Sequence, residues 1–294
     1  MKTREIRIRD PFVLVDGGRY CLYSNRLFSP NGGGNGFDAY TGTDLENWDG
    51  PFRVFDPPEG FWADGDFWAP EVHLYKGMYY LFATFKAGNV CRGTQILRSG
   101  SPLGPFLPWS DGPVTPRGWE CLDGTLYIDK NAKPHMVFCH EWLQVMDGEI
   151  CSVPLSDDLK TSVGEPKLLF TASSAPFTKP VREGCYVTDG PFFHRTEKGG
   201  LLMIWSGNSK NGYMTAVARS CNGEINGNFT HCEPPLFDGD GGHGMIFRDL
   251  GGDLRLTLHA PGESGFERAY FFDLIEEDDI IKITEKPIKE EKPC

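Results

Sequence analysis

Five ionisable side chains recur at one position of an internal repeat, each close before a predicted β-hairpin: Asp10, Glu71, Asp123, Asp189 and His243. If the hairpins are equivalent units, these side chains meet in one place. Carboxylates that share a site can do general acid–base chemistry, because repulsion keeps one protonated while another stays ionised. Cleavage of a glycosidic bond needs such a pair, and a separation of about 6.5–9.5 Å leaves room for the water of an inverting reaction.

The elements that must position these side chains are five pairs of short apolar strands. Their first strands begin at residues 12, 72, 125, 191 and 245, and each is followed by a turn with Gly or Asn and a second strand. These starts lie 53–66 residues apart, and a period near 50 with a β-hairpin in each unit is typical of propeller blades, whose first strands line a central channel. The sequence therefore predicts an all-β fold, a five-bladed β-propeller.

The predicted propeller occupies residues 1–284 as one domain, and the Glu- and Lys-rich residues 285–294 form a charged tail. Length alone would permit two domains, but all-β folds of this size are often single units. Ile6 and Ile8 precede the first hairpin, and we expect them to pair with the last blade and so close the ring.

Charge and composition exclude several classes of partner. The net charge of −12, from 29 basic and 41 acidic side chains, argues against nucleic acid, because the chain would repel a polyanion. No apolar run reaches the roughly 18 residues of a membrane span, and the first residues lack the apolar segment of a signal peptide. We therefore expect no membrane partner and a cytoplasmic location, although a trimmed secreted or periplasmic protein would look the same. Nine scattered cysteines without a C-x-x-C pair predict buried, reduced thiols.

The motifs around the repeated acids resemble glycoside hydrolase family 43, whose members are five-bladed propellers. In family order, the matching motifs are Arg9-Asp10-Pro11, Trp68-Ala69-Pro70-Glu71, Leu122-Asp123-Gly124 and Asp189-Gly190-Pro191. Each motif is weak alone, but the four together cover most of the chain. By position, the resemblance implies an inverting hydrolase in which Asp10 is the general base, Asp123 tunes the pKa of the acid and orients it, and Asp189 is the general acid.

Asp189 departs from the family pattern, which commonly has Glu at this position. Asp is one methylene shorter, and a proton donor displaced by about 1 Å could lose much of its rate. Three interpretations compete: an Asp held by compensating geometry, Glu141 as the donor instead, or a propeller that binds sugars without cleaving them. We prefer the first, because Thr188, Gly190 and Pro191 keep the motif otherwise intact. For Glu141, a binding role at the rim is favoured over catalysis.

Other side chains are predicted to contact the substrate: Trp68, Glu71, His73, Glu141, Trp142 and Arg255. Aromatic rings suit the apolar faces of sugars, and packing between blades is the alternative for the tryptophans. The stretch Gly241-Gly242-His243-Gly244 resembles one whose histidine, in some members, faces a channel-bound calcium ion or water cluster. A structural histidine is the alternative, so no cofactor is required and a structural Ca²⁺ is left open.

The resemblance implies an enzyme that removes α-L-arabinofuranosyl or β-xylosyl residues, or galactosyl residues, from plant-derived oligo- or polysaccharides. The fructosidases and mannoside phosphorylases of the same clan are alternatives. So are a sugar-binding propeller with weakened catalysis and a non-enzymatic interaction scaffold. The pattern predicts neither the linkage nor the oligomeric state.

Overall fold

A computed structural model describes residues 1–26 and 34–284, and these residues form twenty β-strands in five antiparallel sheets. Four strands that are consecutive in the chain make up each sheet. Blade one contains β1 (Phe12–Asp16), β2 (Arg19–Asn25), β3 (Phe37–Gly42) and β4 (Asp49–Phe55). Blade two contains β5 (Gly65–Tyr75), β6 (Met78–Ala87), β7 (Val90–Ser99) and β8 (Leu107–Pro108). Blade three contains β9 (Cys121–Ile128), β10 (Pro134–His140), β11 (Glu149–Pro154) and β12 (Lys167–Thr171). Blade four contains β13 (Asp189–Arg195), β14 (Leu201–Ser209), β15 (Gly212–Ser220) and β16 (Phe229–His231). Blade five contains β17 (Gly242–Arg248), β18 (Leu254–Ala260), β19 (Arg268–Glu277) and β20 (Ile280–Ile283). The predicted all-β, five-bladed propeller is confirmed.

The first strand of every blade is the inner one. β1, β5, β9, β13 and β17 contact one another in order, and β17 contacts β1 to close the ring. Apolar side chains between the blades form the core. Phe37, Phe55 and Phe85 pack between blades one and two with ring centroids 5.7–6.1 Å apart. Because each buried ring contributes about 1.5–3 kcal/mol, these contacts hold neighbouring blades in fixed positions around the channel.

The ring closes without exchange of a strand between its ends. All four strands of blade five come from the C-terminal part of the chain, whereas Ile6 and Ile8 are buried beside that blade. The backbone contact between the two is a single bond, in which Ile8 N–H donates to the Glu267 carbonyl at 3.3 Å. The expected strand pairing of Ile6 and Ile8 with the last blade therefore does not form. Their apolar side chains pack beside that blade, whereas their backbone meets a loop before β19.

Each inner strand enters its blade through a left-handed residue. In blades two to five this residue begins a β-bulge, where two inner-strand residues face one residue of the second strand. The φ angles are 55° for Asp10, 45° for Ala69, 57° for Asp123, 46° for Gly190 and 47° for His243. The next residue is Pro or Gly in every case. A bulge re-aims the side chain of its first residue, at a cost of about 1–2 kcal/mol for a left-handed non-glycine residue.

The left-handed positions correct the predicted alignment of the five ionisable side chains. Only Asp10, Asp123 and His243 occupy the shared left-handed position. In blades two and four a small residue takes that place, and Glu71 lies two residues after it while Asp189 lies one residue before it. The hairpin pattern misaligned these two acids because strand alternation does not mark the first residue of an inner strand, and the start was set one residue late in blade two and one residue early in blade four.

Other sequence expectations concern helices, cysteines and the tail. Within the described ranges the one α-helix is Trp142–Val145, and no helix there has the length and apolar character needed to cross a bilayer. The eight described cysteines are free thiols, and five of them are buried. The tail predicted at residues 285–294 lies outside the described residues.

Candidate active site

Side chains from blades one, three and five meet at the mouth of the channel. His243 Nδ1 lies 3.1 Å from Asp10 Oδ1 and 3.5 Å from Asp123 Oδ2. The three side chains are only 6–10% exposed. Two carboxylates therefore face one imidazole nitrogen in a largely water-free place, where charge interactions are much stronger than in bulk water.

The backbone N–H of each of these three residues donates a hydrogen bond to a side chain of the preceding blade. The acceptors, all on the second strand of that blade, are His259 Nδ1 at 3.2 Å for Asp10, Thr84 Oγ1 at 2.9 Å for Asp123, and Ser206 Oγ at 2.7 Å for His243. A buried N–H without a partner would destabilise the fold, so these acceptors support the left-handed conformations. The positions of the three side chains consequently depend on how neighbouring blades pack.

Gly190 completes the cluster from blade four. Its N–H donates to Asp123 Oδ2 at 3.0 Å. A Cβ on Gly190 would lie 2.6 Å from Cδ2 of His243, closer than any ordinary contact. Because Gly190 is also left-handed, both its conformation and the close approach of His243 require glycine here.

The unequal surroundings of Asp10 and Asp123 separate the pKa values of their carboxyls. Burial disfavours the charged form of Asp10, but the charges of His243 and Arg9 outweigh it and hold the pKa of Asp10 well below its usual range. Burial raises the pKa of Asp123 to about 7, and the nearby charges of Asp189 and Asp10 add to this effect against that of His243. Burial likewise opposes the imidazolium, yet Asp10 and Asp123 raise the pKa of His243 to about 10. One carboxyl is thus held ionised while the other can retain a proton.

Asp189 faces the same cluster from the residue before the bulge. The Tyr213 hydroxyl donates a hydrogen bond to Asp189 Oδ2 at 3.0 Å. Burial raises the pKa of Asp189, although His243, the Tyr213 hydrogen bond and Arg9 oppose the shift. The structure therefore brings Asp189 together with Asp10 and Asp123, in a place where it can carry a proton.

Three polar residues of this site were missed by sequence reasoning. The Tyr213 ring stacks on His259, with centroids 5.5 Å apart, and so links the Asp189 contact to the backbone anchor of Asp10. Arg9 lies 3.9 Å from Asp10 and 3.3 Å from the fully buried Glu267, which fixes its guanidinium beside the cluster. The arginine in the Arg9-Asp10-Pro11 motif was a usable signal for Arg9, whereas Tyr213 and His259 lie on later strands with no motif around them.

Glu141 lies beside this cluster in an ion pair. Its carboxylate binds the guanidinium of Arg92, which also bonds Asp66 at 2.9 Å and covers one face of the Trp68 ring at 4.6 Å from the centroid. Burial raises the pKa of Glu141, Arg92 opposes the shift and Asp189 adds to it. Arg92 holds the Glu141 carboxylate in one orientation, which suits a binding acid better than a proton donor.

The remaining residues that were predicted to contact the substrate lie in two places. Glu71 Oε2 and His73 Nε2 are 3.0 Å apart on β5, further along the channel than the bulge, where the His73 ring packs against Phe12 at 5.2 Å. Trp142 is partly exposed on the short helix after Glu141, and Arg182 lies 5.0 Å from its ring centroid. Of these residues, Trp142 lies next to Glu141.

The structure corrects the prediction that Arg255 contacts the substrate. Arg255 pairs with Phe247 near the end of the β17–β18 hairpin that lies away from His243. Its guanidinium is bound to Asp249 at 2.8 Å and to Asp273. The strands of blade five carry Arg255 away from the mouth, so its position argues against the predicted substrate contact.

The described residues around His243 form no cluster of calcium ligands. Ca²⁺ takes six to eight oxygen ligands, and an imidazole ligand must be unprotonated. In this site the Nδ1–H of His243 faces two carboxylates. Across residues 1–26 and 34–284, no group of three or more His, Cys, Asp or Glu side chains is arranged to hold a metal. The mechanism proposed below uses no calcium ion.

Comparisons with known proteins agree with this fold and with the motifs. The model of glycosyl hydrolases family 43 matches residues 4–276. The crystal structure of an endo-arabinase from Bacteroides thetaiotaomicron VPI-5482 is 40% identical and covers 95% of this chain and 98% of its own, with a TM-score of 0.88.

Two curated relatives are more distant. The extracellular exo-α-(1→5)-L-arabinofuranosidase ArbA of Cellvibrio japonicus is 25% identical over 56% of this chain and 48% of its own length. Xylosidase/arabinosidase 43A of Humicola insolens is 26% identical over 45% of this chain and 43% of its own. The chain thus spans about half the length of the curated relatives it matches. With the family model matched over most of its length and a structural relative aligned almost end to end, the chain belongs to glycosyl hydrolases family 43.

Proposed function

We propose that this chain is an inverting glycoside hydrolase that cleaves α-L-arabinofuranosyl or β-xylosyl linkages in plant-derived poly- or oligosaccharides. The observation that carries the proposal is the contact of Asp10 and Asp123 with one His243 nitrogen, with Asp189 beside them. This arrangement supplies an ionised carboxylate and a protonated carboxyl in the same water-poor site, as glycosidic cleavage requires.

Asp10 acts as the general base in this scheme. Because its pKa lies below the usual range, it is ionised at any pH at which the fold is expected to work. It takes a proton from a water molecule, whose oxygen forms a bond to the anomeric carbon. The water attacks from the side opposite the leaving group, so the anomeric configuration inverts.

Asp189 acts as the general acid and gives its proton to the glycosidic oxygen as the bond from this oxygen to the anomeric carbon breaks. The charges of Asp123 and Asp189 repel each other, which favours a proton on one of the two carboxyls. Two buried carboxyls that interact in this way titrate together. The Tyr213 hydrogen bond positions the Asp189 carboxyl despite its shorter side chain. This contact supports the interpretation in which compensating geometry makes Asp a competent donor.

The relatives favour arabinofuranosyl linkages as the first substrates to test. The structure with 40% identity is an endo-arabinase, and one curated relative is an arabinofuranosidase. The second curated relative is a xylosidase/arabinosidase, which keeps β-xylosyl linkages as the second choice. The galactosyl linkages considered from the sequence come third.

Proton NMR of the first-formed sugar is expected to show the inverted anomer. The protein is mixed with aryl α-L-arabinofuranoside, β-xyloside or β-galactoside, and spectra are recorded before mutarotation. Inversion is expected because water, activated by Asp10, attacks directly. First-formed product with retained configuration would contradict the mechanism. Sugar binding without turnover of any of the three substrates would favour a binding propeller instead.

Tyr213→Phe is expected to lower kcat about ten-fold and to move the alkaline limb of the pH–kcat/KM profile to higher pH. The acid must be protonated, so activity is present below its pKa and is lost as the pH rises through it. The Tyr213 hydroxyl stabilises the ionised form of Asp189, and its removal raises the pKa of that carboxyl. Tyr23→Phe, which removes a buried hydroxyl bonded to the Pro102 carbonyl, is the matched control. A limb that stays in place or moves to lower pH would refute the role of Tyr213.

A further inference from the structure

A groove on blade two takes no part in the proposed reaction. Its volume is about 700 Å³, within the range of small-molecule binding sites. It is lined by residues 58–62, 89–92, 110–113 and 115–118, together with Gln95 and Pro108. Of these residues, Arg92 alone belongs to the site described above.

The groove opens on the same face as the carboxylates. The inner strand β5 runs away from the channel mouth, and β6 returns to end at the mouth with Ala87. Residues 88–89, the turn from β6 into β7, therefore lie on the mouth face. Residues 58–62 lead into β5 and residues 110–118 lead into β9, so both segments reach the same face.

The floor and wall of the groove combine neutral polar groups with aromatic rings. The buried Gln95 accepts a hydrogen bond from Trp62 Nε1 at 2.6 Å, and its own amide donates to the Ser110 carbonyl at 2.8 Å. These bonds fix the Trp62 ring, which is partly exposed beside the partly exposed Phe61. A rigid indole edge and face beside amide and hydroxyl groups match the alternating apolar and hydroxyl surfaces of a sugar.

The charges of the groove favour a neutral ligand. Two acidic and two basic side chains line it: Glu59, Asp111, Arg92 and Arg117. The guanidinium of Arg92 is already paired with Asp66 and Glu141. With Arg92 neutralised by acids outside the groove, Glu59 and Asp111 face Arg117 alone, and the lining offers little to a phosphorylated ligand.

Arg92 joins the groove to the carboxylate cluster. It lines the groove, binds Glu141 and covers one face of Trp68, and the charge of Glu141 interacts with that of Asp189. A chain molecule with one sugar at Asp189 can therefore continue past Glu141 and Arg92 onto Trp62 without leaving the face.

We infer that the blade-two groove is a second carbohydrate-binding site, which holds an uncharged pentose chain several sugars away from the bond that is cleaved. The inference rests on the proposed function and extends it, because it makes the natural substrate a polysaccharide or a long oligosaccharide. Its consequence is that chain length raises affinity through Trp62, outside the catalytic carboxylates.

Trp62→Ala is expected to weaken binding of long chains about ten-fold, since it removes the stacking ring and its bond to Gln95. Binding is measured by titration calorimetry in the Asp10→Asn background, which need not turn over, with α-1,5-linked arabinohexaose and with xylohexaose as probes. Trp62→Phe, which keeps a ring, is expected to restore most of the affinity. Leu107→Ala removes a 61%-exposed apolar side chain of the same blade outside the groove and serves as the control.

Catalysis provides a second readout in the otherwise unaltered enzyme. The loss of kcat/KM for Trp62→Ala is expected to be about ten-fold larger on linear arabinan than on aryl arabinofuranoside, and to lie mainly in KM. The inference is overturned if Trp62→Ala binds both hexasaccharides as tightly as its parent while thermal unfolding shows an intact fold. If wild type cleaves none of the substrates but the Trp62-dependent affinity is present, the proposed hydrolysis fails and the groove stands.

Discussion

Asp10→Asn is expected to lower kcat by about 10³-fold on oligosaccharides and aryl glycosides alike. Asn keeps the size of the side chain but cannot accept a proton from water. Since the base acts on water, the loss is expected to be independent of the leaving group. Initial rates on aryl α-L-arabinofuranoside and on arabino-oligosaccharides measure it, and calorimetric binding of the same oligosaccharides shows whether the site remains intact.

Asp278→Asn is the control for this substitution, because Asp278 is 86% exposed and pairs only with the exposed Lys198 in the described contacts. A second signal should accompany the loss of activity. The charge of Asp10 raises the pKa of His243, so Asp10→Asn should lower that pKa, which NMR titration of the imidazole can follow. Retention of more than about a tenth of the wild-type kcat would remove Asp10 from the role of base.

Asp189→Asn is expected to lower kcat by about 10²–10⁴-fold on oligosaccharides but much less on aryl glycosides with acidic phenols. A sugar alkoxide leaves only if it receives a proton, whereas a dinitrophenolate leaves without one. A plot of log kcat against the pKa of the leaving phenol should therefore be steeper for Asp189→Asn than for wild type. The alkaline limb of the pH profile should also disappear, because it reports deprotonation of the acid.

Glu141→Gln is the matched comparison, since Glu141 is the other acid proposed as donor. If Asp189 is the donor, Glu141→Gln should raise KM through the loss of the Arg92 pair and keep the wild-type dependence on the leaving group. The reverse pattern, with a steep leaving-group dependence for Glu141→Gln and a shallow one for Asp189→Asn, would transfer the role of acid to Glu141.

Much of the fold could be predicted because its signals are local. Alternating apolar strands and tight Gly or Asn turns specify each hairpin within about fifteen residues, and their repetition gave the blade number correctly. The closure of the ring was predicted less well. Ile6 and Ile8 have the apolar character of a strand, but their neighbours in space come from residues more than 250 positions away, which no local pattern encodes.

The acids around His243 could be named from the sequence, but their relation to one another could not. Asp10 and Asp123 were found from the repeat, but Glu71 and Asp189 were placed in phase with them because strand alternation does not mark the first residue of an inner strand. Arg255 was placed at the site although its strand carries it away. Tyr213 and Arg92 were missed, since both enter from the third strands of their blades, where no repeated motif marks them.

By itself, the sequence determined the number of blades, the order of the motifs and the acids that we propose for catalysis, because hairpin periodicity and residue type act over short range. Only the tertiary structure decided which acids lie at His243 and which one is bound by Tyr213. That choice depends on left-handed residues held by acceptors of the preceding blade, on His243 between Asp10 and Asp123, and on Tyr213 at Asp189. Apart from the Tyr213 contact, which lies within blade four, these contacts cross from blade to blade, and their strength comes from burial, which exists only once the blades have packed.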